Sequence, residues 1–263
     1  MLILRNIIIS LTTHNTNHCL KLDTNTLIWY LLVGDDMKKI WYILKDIILS
    51  YLIMYLAVII FLIIYILTTD NSMILNDTIT IYKYAIIGLT ISMIPITIYL
   101  YKKNYHQSKN INYKYIPLMI LIGISISTFY NMLTIDYQSN KTILNLSLPI
   151  IILYTSILGP IFEEILFRYT ALSKAKKVLP KKYAIILISL IFALVHNNLI
   201  TIIYAFILGL LLSIILEKYQ NIVYPIIVHI FANLTSIFLT NSNLFLLIIS
   251  TISLLIIFLR MKK

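Results

Sequence analysis

Apolar runs long enough to cross a bilayer recur along almost the whole chain. A spanning helix needs about 20 mostly apolar residues. The runs Ile47–Leu67, Ala85–Tyr101, Ile116–Leu133, Ile143–Phe167, Ala184–His196, Ile200–Leu216, Ile222–Leu239 and Leu244–Leu259 approach or meet that length. Composition agrees: 60% of the 263 residues are hydrophobic and only 12% are charged. Those values exclude an ordinary soluble domain, a disordered tail and a collagen-like fibre. Continuous rather than alternating apolar runs argue against a transmembrane barrel. The expectation is an all-α, polytopic integral membrane bundle of about eight helices. The fifth run is short, and the polar pair Asn197 and Asn198 would let it meet the sixth in a tight turn. No internal repeat or long linker is evident, so one membrane domain is expected.

Charge orients these spans. Lys and Arg number 21 against 10 acidic residues, a net charge of +11. In a soluble protein this excess would suggest nucleic acid, but membrane proteins gather Lys and Arg in cytoplasmic loops. The bases alternate from loop to loop. Lys38, Lys39 and Lys45 precede the first span; Lys102, Lys103, Lys109 and Lys114 follow the second; Lys174, Lys176, Lys177, Lys181 and Lys182 follow the fourth; Arg260, Lys262 and Lys263 close the chain. The intervening loops hold Asp70 and Asp77 beside the lone base Lys83, Asp136 beside the lone base Lys141, or no charge at Asn197-Asn198 and at 241–243. Both termini are therefore expected in the cytoplasm, with the bilayer as a partner and no nucleic acid. Cys19 is the single cysteine, so no internal disulfide is expected. Residues 1–36 differ from the rest; His14, His18 and Cys19 match no familiar metal spacing. Met37-Lys38-Lys39 before an apolar run suggests an alternative start. The remaining divisions are 37–142 without a signature, 143–240 carrying the polar residues, and 241–263 as a last helix with a basic end. The Ile, Asn, Lys and Tyr bias suggests an AT-rich, bacterial source.

The later spans hold residues that a bilayer penalises. Glu163, Glu164 and Arg168 lie at the end of the fourth, His196 in the fifth, and His229 and Asn233 in the seventh. An ionisable residue at a helix centre costs about 2.5–3.5 kcal/mol on insertion scales. Several of them must pair or line a wet cavity. A structural network, a proton or ion pathway and a catalytic site are the three readings, and the last is favoured. Arg168 lies four residues after Glu164, so the two share a face and form the expected ion pair. Glu163 is rotated about 100° away and lacks a local partner, which suits a general base or acid. Phe192 and His196 share a face, so the ring would wall the site; His229 and Asn233 do likewise. An Asn side chain is an uncharged donor suited to an oxyanion. Gly159-Pro160 would loosen the helix just before the carboxylates.

These residues form three motifs on separate helices: Glu163-Glu164-Ile165-Leu166-Phe167-Arg168, Phe192-Ala193-Leu194-Val195-His196 and His229-Ile230-Phe231-Ala232-Asn233. In this order and spacing the chain resembles the CPBP family, the CAAX protease and bacteriocin-processing intramembrane proteases, also called Abi. The resemblance covers roughly residues 145–240. Departures are Tyr169 where Gly often follows the Arg, Ser213 after Gly209 where a second Gly is common, and Tyr219-Gln220-Asn221 in place of a Thr-Gly-Ser-like turn.

The resemblance implies an intramembrane endopeptidase. Glu163 with His196 would activate a water, His229 and Asn233 would hold the oxyanion, and Glu164, Arg168 and Phe192 would support the site. It leaves two options for cofactors: a divalent metal such as zinc on Glu163, His196 and His229, or a metal-free glutamate mechanism, which is preferred. Substrates would be membrane-embedded or small peptides of signal, pheromone or bacteriocin type. Competing readings are a non-proteolytic scaffold or regulator, a bacteriocin self-immunity protein of the same fold, and a proton-coupled transporter. With the fourth span ending at Phe167, Glu163 would lie about one turn inside the basic face, and the cavity is expected to open to the cytoplasm.

Overall fold

Among the described residues the apolar runs are helical. The computed structural model describes residues 24–68, 78–104, 109–133 and 147–238, with the single positions 248 and 252. Among these residues there is no strand. The helices are α1 (Thr24–Thr68), α2 (Thr78–Lys103), α3 (Ile116–Leu133), α4 (Leu148–Val178), α5 (Lys181–Leu194), α6 (Leu199–Tyr219) and α7 (Val223–Phe238). Among the described residues, five segments are long and apolar enough to cross a membrane: Met37–Thr68, Ile79–Lys103, Tyr113–Asn131, Leu148–Val178 and Leu199–Tyr219. At 14 and 16 residues, α5 and α7 are shorter. The protein is an all-α polytopic membrane bundle. Chain contacts divide it into residues 1–42 and residues 43–263. His14, His18 and Cys19 lie outside the described residues, as does nearly all of the expected eighth span.

Helix α4 corrects the sequence expectation. It does not end near Phe167 but continues to Val178. Arg168 and Lys174 read as residues leaving the membrane, yet both are buried. Each is matched by a carboxylate: Arg168 by Glu164 at 3.0 Å, Lys174 by Asp46 of α1. A paired charge does not need to reach water, so the helix runs on. Within α4, residues Ile152–Leu158 and Glu164–Leu172 are π-helical, separated by Gly159–Glu163. π-helical turns are rare and gather at functional sites.

The next turns have local causes. Leu179 is extended before Pro180, the conformation a following proline imposes, and this separates α4 from α5. Helix α5 stops at Leu194. Asn198 then N-caps α6, accepting from the Thr201 N–H at 2.8 Å and the Thr201 hydroxyl at 2.9 Å. The tight turn expected at Asn197 and Asn198 is present, but it takes in His196, which lies just past α5 rather than inside it. Helix α6 ends at Gln220 in the left-handed region, φ 53°. That position ordinarily favours Gly, so the departure Tyr219-Gln220-Asn221 carries a conformational cost. Asn221 offsets part of it by accepting from the Val223 N–H at 2.9 Å.

One end of the bundle is laced shut. Asp46 bridges Lys103 of α2 and Lys174 of α4. Glu217 of α6 bridges Lys176 and Lys181. The segment after α2 crosses to the α6–α7 turn through Lys109 N–H to Gln220 carbonyl at 3.0 Å, Asn221 to Lys109 carbonyl at 2.7 Å, and Asn112 N–H to the Tyr224 hydroxyl at 2.8 Å. Lys103, Lys174, Lys176, Lys181 and Glu217 lie at the Lys-rich ends of their helices. Just inside this end the core is dense: Leu172, Ala175, Ala184, Ile188, Leu212 and Ile215 are fully buried. Farther along, Gly123 lets α3 approach α7, since a Cβ there would lie 2.9 Å from Phe231 Cβ and 3.0 Å from the Ala232 nitrogen.

Candidate active site

Glu163 and Glu164 are adjacent but sit in different surroundings. Glu164 is fully buried, and one oxygen accepts from both Arg168 Nη1 at 3.0 Å and His229 Nδ1 at 2.9 Å. Arg168 also lies 4.1 Å from the centre of the Phe192 ring, a cation–π contact that partly replaces water. Gly209 makes the room: a Cβ there would sit 3.2 Å from Arg168 Nη2 and 3.2 Å from Phe192. Among the described residues, Arg168 Nε and Nη2, Glu164 Oε2 and the Ser127 and Ser189 hydroxyls have no hydrogen-bond partner. Glu163 is 24% exposed, with Oε2 3.6 Å from His229 Nε2.

The two histidines are fixed from behind. An ionised carboxylate only accepts, so His229 Nδ1 donates to Glu164 and Nε2 is left toward Glu163. His196 Nδ1 lies 3.1 Å from the Phe192 carbonyl. A carbonyl also only accepts, so Nδ1 carries the proton and Nε2 of neutral His196 is a free base. Phe192 touches both rings edge-on, at 5.2 Å from His196 and 5.8 Å from His229.

Asn233 occupies an unforeseen position: its amide donates to the Thr155 backbone carbonyl at 2.8 Å. The cause lies in α4. The Gly159 N–H bonds the Tyr154 carbonyl, five residues back. In that register the Thr155 carbonyl faces the nitrogen of Pro160, which carries no hydrogen. Asn233 supplies the missing donor across the helix interface. The second hydrogen of its NH₂ group remains for a ligand.

Glu163, His196, His229, Asn233 and Phe192 line one cavity of about 260 Å³. That is room for several waters, each taking about 30 Å³. Thr155, Tyr130, Thr201, Tyr204, Leu208 and Ser236 also line it. Tyr130 and Tyr204 stack at 4.1 Å, and the Tyr130 hydroxyl lies 3.0 Å from Thr201 Oγ1. Neither tyrosine belongs to one of the three sequence motifs. Thr155 had a signal, a position five before a proline, that only the π register makes meaningful.

Depth corrects a second expectation. With α4 extended, Glu163 lies about four turns from its Lys-rich end, and His196 lies about as far from the start of α5. The carboxylate and the histidine thus reach the same level. The cavity wall is built from the C-terminal part of α3, the N-terminal half of α4, the N-terminal half of α6 and the C-terminal part of α7. The cavity therefore lies toward the end of the bundle away from the Lys-rich loops, not toward the basic face.

Among the described residues, no group of three His, Cys, Asp or Glu side chains is placed to hold a metal ion. His229 Nδ1 is bonded to Glu164 and His196 Nδ1 to a backbone carbonyl, which leaves the Nε2 atom of each ring.

No curated protein and no solved structure matches this chain. A family model does: residues 145–235 match the one described as Type II CAAX prenyl endopeptidase Rce1-like. That segment holds all three motifs and every site residue named above from α4 to α7 except Ser236. Over residues 145–235, about a third of the chain, the protein is similar to the CAAX protease family that this model describes.

Proposed function

We propose that the protein is an intramembrane endopeptidase that hydrolyses peptide bonds of membrane-embedded or small peptide substrates with a water activated by Glu163 and His196. The observation that carries this reading is the cavity of about 260 Å³, within membrane helices, that Glu163, His196 and His229 all line. The family match over residues 145–235 supports the same chemistry. Positive-inside charge puts both termini in the cytoplasm.

The residues divide the work as follows. Glu163, half open to the cavity, takes a proton from water as the oxygen attacks the scissile carbonyl carbon. His196 Nε2 is a second acceptor that orients this water. The carbonyl π electrons move onto oxygen. His229 serves that oxyanion only with a proton on each ring nitrogen, Nδ1–H held by Glu164 and Nε2–H donated to the oxygen, and the remaining Asn233 N–H joins it. Collapse of the tetrahedral intermediate breaks the C–N bond, and the proton held by Glu163 passes to the leaving amine. Arg168 fixes Glu164 and hence the His229 ring. Tyr130, Tyr204 and Leu208 supply an apolar wall for a peptide side chain. Signal, pheromone and bacteriocin-type peptides fit such a site.

Mass spectrometry of membrane and secreted peptides tests this, comparing wild type, deletion, Glu163→Ala and His196→Ala strains. A product lost in the deletion and in both variants, at normal protein levels, is expected. Full complementation by both variants would overturn the proposal in favour of a scaffold.

A further inference from the structure

We infer that the active-site cavity is loaded from the membrane face opposite the Lys-rich loops, so that its substrates are exported or inserted chains presenting the scissile bond on the extracytoplasmic side. The inference rests on the orientation and activity proposed above.

Three observations carry it. The first is where the cavity walls lie. Ser236 on α7, Thr201 on α6, Tyr130 on α3 and Thr155 on α4 all belong to the far ends of their helices. Ser236 is exposed, and Glu163 and His196 retain partial exposure. The second is what lies on the other side of Glu163. Every residue from Glu164 to Leu172 is buried, and Arg168, Phe167, Ile188 and Leu212 fill the bundle with no exposed surface. The third is the lacing across the Lys-rich end, where Asp46 and Glu217 each hold two lysines and the segment at Lys109 and Asn112 is bonded across the α6–α7 turn. A water or peptide arriving from that end would have to displace a packed core and several ion pairs. One arriving from the far end meets polar side chains that already face a cavity.

Chemistry then selects the substrate. The walls combine Tyr130 and Tyr204 with Ala205, Leu208 and Ala232, so an apolar peptide segment is suited. A bond reached from the far face must belong to a chain that has already crossed or entered the membrane. Cytosolic soluble peptides are excluded as substrates by this route.

The test is single-cysteine labelling, which does not require the protease to be active. Cys19, the only native cysteine, is replaced by serine. Ser236→Cys probes the cavity, and Lys177→Cys, at an exposed position of the Lys-rich end, reports which side that end faces. A membrane-impermeant maleimide is applied to intact cells and to inverted vesicles. A thiol reacts as its thiolate, which needs water, so a lipid-buried cysteine stays silent. Labelling after SDS shows that each variant is present. Intact cells are expected to label Ser236→Cys at least about tenfold more than Lys177→Cys, with the reverse in inverted vesicles. Labelling of both variants from the same face would overturn the inference, and so would a Ser236→Cys that labels from neither. Peptide mass spectrometry stands apart from this outcome. A lost cleavage product with same-face labelling would keep the protease and discard the route.

Discussion

At the scale of single residues the site separates chemistry from bracing. Glu163 is partly exposed and faces the cavity, while Glu164 is fully buried and holds Arg168 and His229. The two glutamates should fail differently. Glu163→Gln removes the proton acceptor but keeps the shape, so cleavage should fall by about 10²–10⁴-fold with little change in thermal midpoint, measured together on detergent-purified protein. Arg168→Ala should do the opposite first. It strips a buried carboxylate of its guanidinium and opens space beside Phe192, and breaking such a pair costs about 3–5 kcal/mol. A lowered thermal midpoint and reduced membrane yield are the expected readouts; an unchanged midpoint would remove Arg168 from the bracing role. The pairing of Glu164 with Arg168 was legible from a spacing of four. The tautomers of His196 and His229 were not, because they depend on a backbone carbonyl and on a carboxylate of another helix.

At the scale of elements, α4 is where sequence periodicity stops being informative. Its π-helical turns change the phase of the side chains, and nothing in residue type announces them beyond Gly159-Pro160. Proline explains the arrangement: it orphans the Thr155 carbonyl, and Asn233 from α7 satisfies it. This reasoning yields a double-mutant cycle. Asn233→Ala should cost about 1–3 kcal/mol, the usual penalty for a buried polar group left unmet. Pro160→Ala restores an N–H opposite Thr155, so the Asn233→Ala cost should shrink in the Pro160→Ala background. Thermal midpoints of the four proteins measure the coupling, and additivity within about 0.5 kcal/mol would contradict the shared carbonyl. Activity should stay low in the double variant, since the second Asn233 N–H is lost with the first. The motif His-x-x-x-Asn was plain in the sequence, whereas the helix contact that spends half of the Asn amide was not.

At the scale of the whole molecule, the class of fold and the catalytic segment were readable because both follow from local patterns: apolar runs, alternating basic loops and three spaced motifs. The length of α4 and the position of the cavity were not readable, because both depend on contacts between helices distant in sequence, such as Lys174 with Asp46 across 128 residues. Lys174 is buried where Asp46 of α1 meets it. Asp46 therefore joins the helices that carry no signature to the catalytic segment. Asp46→Asn keeps the volume and removes the charge shared by Lys174 and Lys103. Lys103 is 36% exposed and can turn to solvent, so its share is small. Lys174 is 7% exposed, and a buried ammonium deprived of its carboxylate costs about 3–5 kcal/mol. The thermal midpoint of Asp46→Asn should thus fall by more than that of Lys103→Gln, a surface-type loss of about 0–1 kcal/mol. Lys174→Met together with Asp46→Leu should recover stability, since an apolar pair of similar volume avoids the desolvation that the ion pair must offset. If the double variant is as unstable as Asp46→Asn alone, Asp46 acts through partners other than Lys174, and the continuation of α4 to Val178 needs another cause.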